Sequence, residues 1–309
     1  MISICIPAYK RISYLRRLLD SIAIQTFTDF EVIISDDSPD ETVNGLVTDY
    51  DTRFTIRYFK NITPLGMPAN WNFVISHAQG DWIKLMHDDD WFSSSDSLQQ
   101  FANKAALGPK FIFCAYTNVF GDTGSTQVVK MQPVKKSVII NEPLVLMSKN
   151  FIGPPSVTMV HKSISESYDE RMKWRVDIDF YIRVLHKEKA FIFIDNPLIN
   201  VGISSYQVTN ECFENPLIEL PEGLLLLDKY GTAPLKNITV YDAWWRLLRN
   251  MNITATGDLI KYSEERWPDA IIKMLKNLSK APPGLLKIGI ISKIFMFISF
   301  LSNRVKGIL

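Results

Sequence analysis

The sequence predicts an α/β fold: a mostly parallel sheet with flanking helices, followed by a helical C-terminal extension. Two observations carry this. Short β-branched runs alternate with helical periodicities over the first hundred residues, which is the pattern of right-handed βαβ units. Beyond about residue 215 the apolar pattern becomes wholly helical.

The elements follow in order. "ISICI" (2–6) is apolar and closed by Pro7, as a buried strand is. "SYLRRLLDSIAIQ" puts Leu15, Leu18, Leu19 and Ile22 on one helical face, with Ser13 placed to cap it. "EVIIS" (31–35) is a second buried strand, ending in Asp36 and Asp37. "DETVNGLVTDY" has helical spacing, "FTIRYF" (54–59) that of a strand, and "PANWNFVISHA" (68–78) is helical again. "WIKLM" (82–86) is a strand that runs into Asp88, Asp89 and Asp90. Further strands are expected at 111–120, 155–160 and 190–195. A helix is expected over 176–188, with Ile178, Tyr181, Ile182 and Leu185 on one face. The chain divides into 1–215, a helical extension 216–281 and an apolar, basic segment 285–309 after Pro282-Pro283-Gly284.

Composition narrows the function. The chain is 47% apolar and 22% charged, enough for a full core and too little charge for extensive disorder. From Lys273 to Leu309 there are seven basic residues and no acid. Against an overall +1 this leaves −6 on the rest, a body unsuited to broad nucleic-acid binding. Cys5, Cys114 and Cys212 are odd in number and scattered, and His77, His87, His161 and His186 form no zinc-like spacing. "MISICIPAYK" is too short an apolar stretch for a signal peptide, so a cytoplasmic location is expected.

The acidic triplet asks for a chemical explanation. Two carboxylates about 6 Å apart repel by roughly 2–3 kcal/mol at an effective dielectric near 20. A hard divalent cation, Mg²⁺ or Mn²⁺, offsets that repulsion and takes oxygen ligands; a solvated acidic turn or a helix N-terminus is the alternative. In parallel sheets ligands bind at the carboxyl ends of the strands. Three such ends carry polar residues here, "PAYKR", "SDDSPDE" and "HDDD", and they are expected to converge. No glycine-rich phosphate loop is present.

A strand ending in Pro-x-Tyr, a second ending in Asp-Asp-Ser, then "GMPANWNFVISHAQGDWIKLMHDDDWF" resembles the inverting GT-A glycosyltransferases of family 2, which include bacterial enzymes of surface polysaccharides such as O-antigen. The resemblance covers residues 1–100 well and 150–215 loosely. It implies that Pro7, Ala8 and Tyr9 line a base pocket, and that Asp36 and Asp37 bind the base or ribose of a nucleotide-sugar donor. Asn72 would lie near that donor. Asp88 and Asp90 match the acids of the D-x-D motif and would hold Mn²⁺ or Mg²⁺ together with donor contacts. Strand alternation would leave Asp89 facing away or on the sugar. Trp71 fits the donor side or the core equally. In "RVDIDFYIRVL", Asp177 matches the family's general base, with Val176 in place of its Glu and Arg183 at its Arg; Asp179 is the rival, and helix capping the plain alternative for Asp177. Some relatives add a histidine ligand from a later loop, and "INVGISSYQVTN" (199–210) has none.

The implied activity is transfer of a sugar to an acceptor hydroxyl, saccharide and lipid-linked in a surface-polysaccharide pathway. A sugar nucleotidyltransferase and a non-catalytic nucleotide-sugar-binding subunit are the alternatives. On a helical wheel of 285–309, Lys287, Ser292, Ser299, Ser302, Asn303 and Lys306 fall opposite Ile294, Phe297, Ile298 and Leu301. The longest charge-free stretch, 294–303, is too short to span a bilayer. A peripheral helix on the inner face of the cell membrane is expected, with a core helix or a dimer contact as the alternative.

Overall fold

The computed structural model describes all residues except 122, 205–207, 264, 306, 308 and 309. Lys306 of the C-terminal helical wheel and part of the 199–210 loop therefore lie outside the described residues. The chain divides into two units. The first comprises 1–141, 151–170 and 179–207; the second comprises 142–150, 171–178 and 208–309.

The first unit is built on one sheet. Its elements are β1 (Ile2–Ala8), α1 (Ile12–Ala23), β2 (Phe30–Asp36), α2 (Thr42–Thr48), β3 (Ile56–Lys60), α3 (Ala69–Ser76), β4 (Trp82–Leu85), β5 (Trp91–Phe92), α4 (Ser97–Ala105), β6 (Phe111–Phe120), β7 (Thr126–Val129), α5 (Pro133–Asn141), β8 (Thr158–His161), α6 (Val176–Glu188) and β9 (Ile192–Ile203). The first three residues of α6 belong to the second unit. Among the described residues the strand order is β3-β2-β1-β4-β8-β6-β9-β5, with β7 paired to β6. The four N-terminal strands are parallel, as the βαβ pattern requires. The other half of the sheet is mixed: β8 runs antiparallel to β4 and β6, and β5 antiparallel to β9.

Buried strands supply the core. Ile2, Ile4 and Ile6 of β1 pack with Val32 and Ile34 of β2 and with the Leu15, Leu18, Leu19, Ile22 face of α1. On the opposite face, Ser3 donates to Glu31 at 2.6 Å, and Arg57 reaches the same carboxylate at 3.2 Å. Burial pushes Glu31 up, but those two bonds and the amides of Gln79 and Gly80 hold it below the usual carboxylate range. Gly80 is required here, since a Cβ would lie 2.8 Å from both the Met1 carbonyl oxygen and Ser3 Oγ. The carboxylate thus clamps the entry of β4 beside β1, and so sets where β4 ends.

Three sequence expectations change. Ser13 does not cap α1: Arg11 occupies that position without a side-chain cap, because two tight turns through Tyr9 and a left-handed Lys10 start the helix two residues earlier. Strand β9 continues past the expected 195 to Ile203. The irregularity is absorbed by a bulge at Pro197, where a proline costs little because the ladder is already interrupted. Of the strand expected at 155–160, Pro155–Val157 is a short 3₁₀ turn and only 158–160 are strand, within β8 (Thr158–His161).

The second unit is helical: α7 (Val208–Cys212), α8 (Pro216–Tyr230), α9 (Ile238–Asn250), α10 (Thr256–Ile260), α11 (Asp269–Leu278), α12 (Pro283–Leu286) and α13 (Gly289–Val305). Tyr241, Trp244, Trp245 and Leu248 of α9 and Ile271, Met274, Leu275 and Leu278 of α11 form its core. No described helix is long and apolar enough to cross a membrane.

Candidate active site

Strand β4 stops at Leu85, and residues 87–90 form a turn closed by the Asp90 amide donating to the His87 carbonyl oxygen at 3.1 Å. The acidic triplet therefore sits on a turn rather than on a strand, and two-residue alternation does not decide which carboxylates converge. The described side chains that do gather are His87, Asp89 and Asp90, whose ligand atoms lie within 4.8 Å of one another. Asp88 points instead toward the first strand end, where the Tyr9 amide bonds it and Arg11 Nη1 stands 3.7 Å away. Arg11 also pairs with Asp89 at 3.0 Å.

Several distant elements hold this turn. Immediately after Asp90, β5 pairs with Ile199 and Asn200 of β9. Gly202 of β9 donates its amide to Asp90 Oδ1 at 3.1 Å, and a Cβ at this glycine would come within 2.5 Å of the Asp89 carbonyl oxygen. Arg17 of α1 donates to that same carbonyl at 2.8 Å while its guanidinium covers the Trp91 ring at 3.5 Å. Ser156 accepts from the His87 amide at 3.0 Å and bonds the Asp90 carboxylate.

His87, Asp89 and Asp90 could hold a cation. All three aspartates are buried. Burial, and then repulsion from Asp89, pushes Asp88 up to about 7 and Asp90 well above the usual carboxylate range. Burial drives His87 down to about 4, leaving a neutral imidazole, and its buried Nε2 has no hydrogen-bond partner among the described residues. A neutral imidazole with a free ring nitrogen beside two carboxylates suits a divalent ion such as Mn²⁺ or Mg²⁺. Lys84, fully buried under Phe92 and Phe101, donates to the Ser156 carbonyl oxygen; burial lowers it to about 7.

Backbone contacts tie the ends of β4 and β2 to β1. Met86 N donates to Cys5 O at 2.9 Å, and Asp37 N to Ala8 O at 3.0 Å. Pro7 is half-buried, Ala8 buried and Tyr9 exposed. Asp36 and Asp37 are buried and occupied by their own neighbours. Asp36 takes Tyr58 Oη, Lys60 Nζ and the Ser38 amide at 2.7, 3.0 and 2.7 Å. Asp37 takes Asn61 and the amides of Leu65 and Gly66 at 2.8, 3.0 and 2.8 Å. Asn72 clamps residue 168, donating to the Tyr168 carbonyl oxygen at 2.9 Å and accepting from its amide at 2.8 Å. Trp71 packs on His87 with ring centroids 4.7 Å apart and meets Tyr168 edge-on.

In the second unit, Asp177 is the second residue of α6 and half-buried. Its Oδ2 accepts from Asn150 at 2.7 Å and its Oδ1 from the Ile178 amide at 2.7 Å. Burial pushes it up to about 7 against those bonds and the Arg175 charge. Asp179 is fully buried and paired with Arg183 at 2.9 Å, and that arginine also pairs with Glu166. Sequence reasoning missed His87, Arg11 and Gly202. For His87 a signal existed, its place directly before the triplet; the other two are brought in by α1 and β9.

A sheet of this topology, with an acidic turn at the carboxyl end of β4, defines the GT-A class of glycosyltransferase fold. Residues 3–168, more than half of the chain, match the model of glycosyl transferase family 2, and the chain belongs to that family. An uncharacterized glycosyltransferase from Haemophilus influenzae is 27% identical over 191 residues, 60% of this chain and 63% of that protein. Putative glycosyltransferase EpsH of Bacillus subtilis is 29% identical over 128 residues, 40% of this chain and 36% of that one. The chain thus spans less than two thirds of the length of these curated relatives. Among solved structures, TarS 1–349 of S. aureus in complex with UDP-GlcNAc superposes with a TM-score of 0.60 at 16% identity, covering 89% of this chain and 79% of that one. A mannosyltransferase, PcManGT of Pyrobaculum calidifontis, in complex with GDP-Man and Mn²⁺, gives 0.58 at 12% identity over 98% and 86%. At these identities the likeness establishes the fold.

Proposed function

We propose that this glycosyltransferase moves a sugar from a nucleoside-diphosphate donor to an acceptor hydroxyl with inversion, in the synthesis of a cell-surface polysaccharide. The acceptor is a saccharide on a lipid carrier, and the chain acts as a peripheral protein at the inner face of the cell membrane. The observation that carries the transfer reading is the buried turn of His87, Asp88, Asp89 and Asp90 at the carboxyl end of β4. A divalent cation against these carboxyls offsets their mutual repulsion, and the diphosphate of a donor needs the same charge. The complexes of TarS with UDP-GlcNAc and of PcManGT with GDP-Man and Mn²⁺ support this reading.

His87, Asp89 and Asp90 would hold Mn²⁺ or Mg²⁺, with Asp88 turned toward Arg11 and the Tyr9 amide. When bound, the ion supplies positive charge to the leaving diphosphate. Arg11, already beside Asp88 and Asp89, is placed to add a second positive charge. Pro7, Ala8 and Tyr9 form one wall for the base. Asp36 and Asp37 act by shaping the β2 loop through their own hydrogen bonds, and Asn72 by fixing residue 168. Asp177 takes the proton of the acceptor hydroxyl as that oxygen attacks the anomeric carbon from the face opposite the leaving group. Its elevated pKa suits a base working near neutrality. Asp179 is held by Arg183 and serves the helix.

The test is incubation of the purified chain with a panel of nucleotide sugars and Mn²⁺, following nucleoside diphosphate release. Release from one donor, and a product of opposite anomeric configuration by NMR, is the expected result. Consumption of a nucleoside triphosphate with pyrophosphate release would replace it with a nucleotidyltransferase.

A further inference from the structure

Helix α13 turns a largely polar face inward and leaves a wholly apolar stripe outside. A surface helix of a globular protein ordinarily turns its apolar stripe to the core and its polar residues to water. Here Ser292, Ser299 and Asn303 are buried, together with Met296 and Phe300. Trp245 Nε1 and Arg249 Nη1 donate to Ser292 Oγ at 3.1 and 2.8 Å. Ser299 Oγ bonds Tyr241 Oη at 2.7 Å and accepts from Asn277 at 2.9 Å, and Asn303 donates to Tyr241 Oη at 2.8 Å. These bonds to α9 and α11 lock the rotation of the helix. The stripe left outside is Ile290, Ile294, Phe297, Ile298, Leu301 and Val305, with Ile290 74%, Ile294 57% and Val305 86% exposed. Six large apolar side chains on one face of one helix form a patch of the kind that marks an interaction surface.

The charge around the stripe says what covers it. Lys276, Lys280, Lys287, Lys293 and Arg304 are exposed, and no acid occurs from Ala270 to Leu309. A second copy docked stripe to stripe would bring two such basic sets together with no acid to offset them. An anionic lipid surface matches both features: acyl chains for the stripe and headgroups for the cations. At 17 residues the helix is too short to span a bilayer. We infer that α13 lies flat in the headgroup region of an anionic membrane, with the Ile290–Val305 stripe immersed and the lysines and Arg304 at the phosphate level. The inference uses no residue of the transfer site.

The test is sedimentation of the full chain with phosphatidylglycerol-containing vesicles and with pure phosphatidylcholine vesicles, at low and high salt. The chain should pellet with the anionic vesicles and much less with the neutral ones. High salt should weaken binding, since each basic residue near an anionic surface strengthens it about fivefold. Combining Ile294→Ser and Phe297→Ser should lower the partition coefficient at least about tenfold, with an unchanged far-UV CD spectrum because both residues are exposed. Donor turnover without vesicles should also be unchanged, so a failed membrane test and a failed transfer reading remain separate results. No pelleting with either vesicle, equal pelleting with both, or a concentration-dependent dimer lost in the same double variant would each overturn the inference.

Discussion

Replacing Gly202 by alanine should damage the site from the far end of the chain. Gly202 lies on β9, 112 residues from Asp90, and its amide bonds that carboxylate at 3.1 Å. An alanine Cβ there would sit 2.5 Å from the Asp89 carbonyl oxygen, whereas ordinary contact begins at 3.4 Å, so about 0.9 Å must be found. The glycine is not in the left-handed region, so the effect is steric and not conformational. The neighbour is backbone, already held by Arg17 at 2.8 Å, and cannot swing aside as a side chain would. Overpacking of this size costs about 1–3 kcal/mol, and each kcal/mol lowers Tm by about 2–4 °C for a domain of 150–250 residues. The larger effect should be on function, because a displacement of about 1 Å at a reacting centre costs on the order of 10²-fold. Thermal melts, Mn²⁺ affinity by calorimetry and donor turnover measure the three quantities. A variant with wild-type turnover and wild-type Mn²⁺ affinity would show that the turn is not held by β9 and refute the reasoning.

Asp177→Asn should lower turnover by roughly 10²–10⁴-fold with little change in donor affinity; if Asp179→Asn is the damaging change instead, the two roles are exchanged. A base works ionised, and burial raises this carboxyl to about 7, so wild-type turnover should fall as pH drops through about 7. The asparagine variant should lose that acid limb in a pH profile. Asp90→Asn should abolish the rise in Tm that Mn²⁺ produces, since a ligand that binds only the folded state stabilises it. An undiminished Mn²⁺ shift in thermal melts would rule out Asp90 as a ligand.

Much of the architecture is written in local periodicity. The β1–β4 half of the sheet reads directly from β-branched runs and the leucine stripe of α1, and α6 spans 176–188 as its spacing requires. These are effects of residues within a few positions of one another, and a sequence carries them openly. The acidic triplet was equally visible, because like charges in a row demand an explanation.

What tertiary structure decided is which side each group faces and what it meets. The triplet lies on a turn, so His87, Asp89 and Asp90 converge and Asp88 looks toward Arg11; that depends on β5 pairing with β9 more than 100 residues away. The division into two units interleaves segments 142–150 and 171–178 with the rest, which no composition shift announces. Helix α13 shows the limit most plainly. Its sequence defines a polar face and an apolar face and is silent on which one turns inward, because periodicity is the same for either choice. Tyr241, Trp245, Arg249 and Asn277 made that choice by offering hydrogen bonds to the serines and Asn303, and the isoleucines were left outside.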